Sequence, residues 1–132
     1  MPAVSTKSRM DKIGVKPGMR VAVMGVGDPT LSAELAEKGA VPVTQLAELD
    51  LLFYAADSAE ALGRVDALVP MLAEKGALWI VSHKGKAATV KDVEVMAAAK
   101  AHGLVDNKVV AFSTTLTSLR FTRAKVGAEP AA

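Results

Sequence analysis

The sequence predicts an α/β protein of three layers: a mostly parallel sheet, helices on both faces, and a C-terminal antiparallel hairpin. Apolar runs at Arg20–Met24, 49–56 and 77–82 alternate with segments of helical periodicity. The last two strand-like runs, 108–113 and 119–123, are joined by a link too short for a crossover helix, so they should pair antiparallel. The 132 residues are 51% hydrophobic, which suits one core and one domain. Aromatics are only 4%, so aliphatic and small side chains must fill that core.

The elements follow in order. Pro17-Gly18 signals a turn before the first strand, and Gly25-Val26-Gly27 signals a turn after it. Asp28 is then placed as N-cap and Pro29 at the first position of a helix over 29–38. That helix should stop at Lys38-Gly39. Residues 41–43 read as extended, and Pro42 places them at a sheet edge. The apolar run 49–56 reads as a parallel strand covered on both faces. Asp57 with Glu60 resembles a capping box for a helix that Pro70 kinks or divides and that ends at Lys75-Gly76. After the strand 77–82, Thr89 with Asp92 suggests a second capping box. The helix 90–102 should present Val93, Met96 and Ala97 to the core. The string AEKGA occurs twice, at 36–40 and 73–77, and is read both times as a helix end returning to the sheet.

Residues 1–14 are read as a flexible N-terminal segment, 15–125 as the single domain, and 126–132 as a disordered tail. Zero cysteines exclude a disulfide scaffold, cysteine-liganded metal and thiol catalysis. The N-terminus has no apolar segment after its charges, and no apolar run is long enough to span a bilayer. A cytoplasmic protein that leaves membranes alone is therefore expected. Lys7, Arg9, Lys12, Lys16 and Arg20 make the start basic, yet Tyr54 and Trp79 fall inside buried strands. No aromatic platform remains among the basic residues, which argues against nucleic acid.

In open α/β sheets, ligands bind beyond the carboxyl ends of the strands. The first strand delivers Gly25, Gly27 and Asp28 to that edge, the 49–56 strand delivers Asp57 and Ser58, and the 77–82 strand delivers His83, Lys84 and Lys86. If the first and 49–56 strands are neighbours, these loops converge. Gly25-x-Gly27 is half of a dinucleotide fingerprint, because Thr30 stands where a third glycine would be. Two roles are open to these glycines, a tight turn or close approach to a cofactor. His83, Lys84 and Lys86 are candidates for an anion site, such as a phosphate or nucleotide-like ligand. His83 is also a candidate general base, although spacing identifies no partner acid. The hydroxyl-rich run from Ser113 to Ser118 reads as a solvated hairpin loop. No cluster has metal-ligand spacing.

Residues 15–27, Val-Lys-Pro-Gly-Met-Arg-Val-Ala-Val-Met-Gly-Val-Gly, resemble the opening of the class I S-adenosylmethionine-dependent methyltransferases, which have a Rossmann-like fold. Residues 72–80 resemble that family's passage from helix through glycine into the fifth strand, and 108–123 its final hairpin. The resemblance implies S-adenosylmethionine as cofactor, with Gly25 and Gly27 beside its methionine portion. It also has departures. Met24, not an acid, precedes Gly25, and Thr44-Gln45 stand where the family carries an acid after its second strand. The third strand–helix unit is missing. The chain thus resembles a reduced or degenerate member, and also small bacterial proteins with the same opening and an aromatic-x-Arg ending (Phe121-Thr122-Arg123).

Three functions follow from this reading. The incomplete site favours a small binding or accessory protein without catalysis. The alternatives are a methyltransferase with His83 near the transferred group, or a structural subunit. A homodimer or another protein partner is a candidate in each case, since a small aliphatic core gains from extra burial.

Overall fold

The computed structural model describes residues 9–113 and 115–123. The tail 126–132, Thr114, Lys125 and residues 1–8 of the N-terminal segment lie outside the described residues. Helices are α1 (Arg9–Ile13), α2 (Leu31–Glu37), α3 (Ala59–Leu62), α4 (Val65–Leu68) and α5 (Asp92–Lys100). Strands are β1 (Arg20–Met24), β2 (Val41–Pro42), β3 (Leu49–Ala55), β4 (Leu72–His83), β5 (Leu104–Ala111) and β6 (Leu116–Arg123). They form one sheet in the order β2-β1-β3-β4-β6-β5. The first four in that order run parallel, and β6 and β5 form the antiparallel end.

The two-residue period of the strands sorts the core onto two faces. Leu52, Tyr54, Leu78 and Ile80 pack with Leu62, Val65, Leu68, Val95 and Ala99 from α3, α4 and α5. Leu51, Phe53, Ala77, Trp79 and Val81 pack with Met10, Ile13, Leu31 and Leu35 from α1 and α2. This is why residues 49–55 and 77–82 read as continuous apolar runs: both faces are covered. Phe53 and Trp79 stack at 6.5 Å between centroids, so two of the few aromatics occupy one layer.

Several local expectations need correction. Residues 9–13 were assigned to the flexible N-terminal segment, yet they form α1. Met10 and Ile13, three apart on one helical face, are both buried. The first long helix begins at Leu31, with Thr30 at the cap position. Asp28 instead accepts the Thr30 N–H and its hydroxyl, an Asx-type turn ahead of the helix. Its end is as expected: Gly39 takes φ 80°, and the Gly39 and Ala40 N–H groups bond back to Ala36 and Leu35.

Ser58, not Asp57, caps α3, its hydroxyl accepting from the Ala61 N–H at 3.1 Å. The helix expected after it is divided into α3, α4 and a 3₁₀ turn at Val69–Met71, with Pro70 in that turn. Chain 72–83 is already strand, so the second AEKGA copy lies inside β4. There β4 advances from Leu72 to Ala77 while β3 advances only from Leu49 to Leu51. Gly76 makes this bulge possible, because a Cβ there would stand 2.2 Å from the Leu49 carbonyl oxygen. Arg123 closes the bulge by donating to the Val69, Leu72 and Ala73 carbonyls.

In α5 the buried residues are Val95 and Ala99, while Val93 is 67% exposed. Lys91 occupies the cap position, and its N–H donates to the Glu94 carboxylate at 2.7 Å. Thr89 is not a cap; its hydroxyl donates to the Asp57 carbonyl. Among the described residues no helix is long and apolar enough to cross a membrane.

Candidate functional site

The site sits at the carboxyl ends of β1, β3 and β4. Because β1 lies directly beside β3, and β3 beside β4, the three loops that follow them meet. The β5–β6 hairpin brings a fourth. β6 runs antiparallel to β4 and starts with Leu116 opposite His83, so its turn lies at the same edge. Together these ends enclose a cavity of about 310 Å³ lined by Gly25, Gly27, Ala55, Asp57, His83 and Thr115, among others. That is at the small end of the range for ligand pockets, roughly 300–1,000 Å³.

The two glycines do different work. Gly25 has φ 77° and its α-carbon faces Ala55, so the turn itself demands glycine. Gly27 is not in the left-handed region, and a Cβ there would meet nothing within 4 Å. Its backbone is therefore open to the cavity, and chain geometry does not require glycine there.

Asp57 joins the tips of β3 and β4. Its Oδ1 accepts the His83 backbone N–H at 2.8 Å and lies 3.1 Å from His83 Nδ1. A carboxylate at that distance lies close enough to orient the imidazole. The acid that stands beside His83, which sequence spacing does not reveal, is Asp57. The two residues are 26 positions apart, and only the parallel pairing of β3 with β4 brings them together.

The remaining expected residues are distributed around this centre. Asp28 lines an adjoining cavity of about 530 Å³ with Arg9, Gly27, Thr30, Glu34 and Phe112. Arg9 donates through Nη1 to Asp28 at 2.5 Å, and through Nε and Nη2 to Glu34 at 3.1 and 2.8 Å. It also donates to the Phe112 carbonyl and lies over that ring, 4.6 Å from its centroid. The Arg9 hydrogen bond holds the Asp28 carboxyl below the usual carboxylate range, against the opposing effect of burial. Burial works against the Arg9 charge, yet the two carboxylates outweigh it and raise its pKa. Ser58 is committed to capping α3. Lys84 lines a third cavity with His83, whereas Lys86 is exposed and lines neither. Among the described residues no group of three or more His, Asp or Glu side chains is placed to hold a metal ion.

Sequence reasoning missed Thr115, Lys91 and Arg9. The position of Thr115 follows from the hairpin's direction relative to β4. Arg9 had no local signal beyond the Met10/Ile13 spacing.

Beside β1 and β2 lies a further, mostly apolar surface. A groove of about 200 Å³ at that surface is lined by Val21, Val23, Leu35, Pro42 and Val43 together with Ser32, and its lining includes no carboxylate.

No protein-family model matches the chain, and no curated protein matches it significantly. Solved structures do. Magnesium protoporphyrin IX methyltransferase from Synechocystis PCC 6803, with bound S-adenosylmethionine, superposes with a TM-score of 0.67 at 16% identity, over 88% of this chain and 74% of that one. An S-adenosylmethionine-dependent methyltransferase from Aquifex aeolicus gives 0.65 at 15% identity, over 87% of each chain. The ribosomal protein L11 methylase from Lactobacillus delbrueckii subsp. bulgaricus gives 0.65 at 13% identity, over 89% and 75%. At such identities the likeness concerns the fold, and the fold of this chain is the Rossmann-like one of the class I S-adenosylmethionine-dependent methyltransferases.

Proposed function

We propose that the chain binds S-adenosylmethionine at the convergent strand tips and acts as a small methyltransferase. The observation that carries this reading is the Asp57–His83 pair, 3.1 Å apart, on the wall of the cavity that Gly25 and Gly27 also line. The loop fits the methionine end of the cofactor: Gly27 has open space where a side chain would project. When bound there, the cofactor supplies an electrophilic methyl group on a sulfonium. Gly25 and Gly27 leave room for it, and Val81 and Leu116 keep the cavity wall partly apolar. The His83 imidazole would take the proton of a hydroxyl or amine acceptor as its oxygen or nitrogen gains the methyl group, and the methyl carbon–sulfur bond of the sulfonium would break in the same transfer to leave a neutral thioether. Asp57 keeps the imidazole oriented for that transfer.

A second reading is favoured by the carboxylate-free groove beside Val23 and Val43. In that reading the chain is a binding or accessory protein that holds a related small ligand without turning it over. The missing ribose acid weakens affinity for the adenosine half but leaves the methionine half intact.

Calorimetric titration tests the cofactor binding that the methyltransferase reading requires, and transfer of a labelled methyl group to an acceptor separates it from the second reading. Methyltransferase function predicts saturable binding of S-adenosylmethionine with Kd on the order of micromolar, and its loss in Gly27→Trp, which fills the open space. Absence of heat with both S-adenosylmethionine and S-adenosylhomocysteine removes the proposal.

A further inference from the structure

The loop after β4 carries a cavity of about 450 Å³ that meets the glycine-lined cavity at His83. Lys84, Gly85, Lys91, Asp92 and Thr117 line it with His83. Of the described residues lining the two cavities, His83 alone is shared. Lys84 and Lys91 make no ion pair among the described residues, and the carboxylates beside them are Asp92, in the cavity lining, and Glu94, which accepts the Lys91 backbone N–H. Thr117 adds a hydroxyl, held in register by the pairing of β6 with Ser82 of β4. Gly85, at φ 69° with nothing within 4 Å of its α-carbon, leaves the backbone between the two lysines bare.

We propose that this cavity takes the anionic group, a phosphate or a carboxylate, of the molecule whose reacting atom faces His83. The inference rests on the reading of His83 as the base, and it names the acceptor class for that same site. The lysines set the preference: neither is held in an ion pair among the described residues, so both are free to draw an anion into the cavity, with Thr117 as a further donor. Geometry sets the connection, because a ligand anchored at Lys84 and Lys91 is adjacent to His83 and, through it, to the glycine-lined cavity. Lys91 takes the place expected of Lys86, since α5 starts immediately after it and turns the chain back toward β4.

The test is an NMR titration of the whole chain with inorganic phosphate and, separately, acetate, each against sodium chloride at matched ionic strength. Saturable shifts are expected at the Lys84, Gly85 and Thr117 amides. They should weaken by about tenfold or more in the Lys84→Ala, Lys91→Ala double variant, and measurably in Lys91→Gln alone should the double variant unfold. Stronger binding of phosphate indicates a phosphorylated acceptor, and stronger binding of acetate a carboxylic acid. Shifts no larger than those with chloride, or shifts that survive the substitutions, overturn the proposal. The same variants are titrated with S-adenosylmethionine. If that binds while phosphate does not, the anion site fails and the methyltransferase reading stands; the converse removes the methyltransferase reading and leaves the anion site.

Discussion

Arg9 donates to two carboxylates, a hydroxyl and a carbonyl, and thereby ties α1 to α2 and to the end of β5. Its side chain is 12% exposed and that of Asp28 is 8% exposed, so the pair is largely shielded from solvent. Removing one partner leaves the other charge buried and unpaired. Arg9→Ala is expected to lower unfolding free energy by about 3 kcal/mol, with Arg9→Lys recovering part of it, measured by urea denaturation. The pH dependence follows from Asp28. Its folded pKa lies below the ordinary carboxylate value, so its contribution is fully present above the unfolded pKa near about 4 and is lost as pH falls through the folded one. The stability difference between wild type and Arg9→Ala should therefore be constant near neutrality and shrink below about pH 4. A difference that grows on acidification contradicts this assignment.

At the scale of elements, β4 and α5 make the sharpest demands. Gly76→Ala puts a carbon 2.2 Å from the Leu49 carbonyl unless the bulge moves. A loss of about 2–4 kcal/mol or more is expected by thermal or urea unfolding, whereas Gly27→Ala, with no neighbour within 4 Å, should be nearly neutral. For α5, Val95→Ala should cost about 1–3 kcal/mol and Val93→Ala about 0.5 or less, because Val95 is fully buried and Val93 is 67% exposed. The sequence reading placed Val93 on the core face. It could not do better, because α5 reads Asp-Val-Glu-Val-Met-Ala-Ala-Ala-Lys, and small apolar residues on every side leave the buried face undefined. The long strands were legible for the opposite reason. Leu51 to Ala55 and Ala77 to Val81 are apolar on both faces, the pattern of a covered parallel strand. The bulge at 73–76 was not legible, since its sequence repeats that of a helix end.

At the scale of the whole molecule, strand order decides what the site can be. β1 lies between β2 and β3 in the sheet, and the glycine turn thereby comes to lie beside Asp57. Gly25, Gly27, Asp57 and His83 were each visible in the sequence as strand-tip residues. Their assembly depended on one neighbour relation, β1 beside β3, which local patterns do not encode. Ser58 and Lys86 were named by the same rule and do other things, because nearness in sequence to a strand tip does not decide whether a side chain serves a helix cap, solvent or a cavity. The methyl-transfer account stands on that assembly. It is tested most directly by NMR mapping of S-adenosylhomocysteine on the full chain. The account predicts saturable shifts centred on the amides of Gly25, Gly27, Asp57 and His83. No shift at millimolar ligand, or shifts confined to residues away from the tips of β1, β3 and β4, would contradict it.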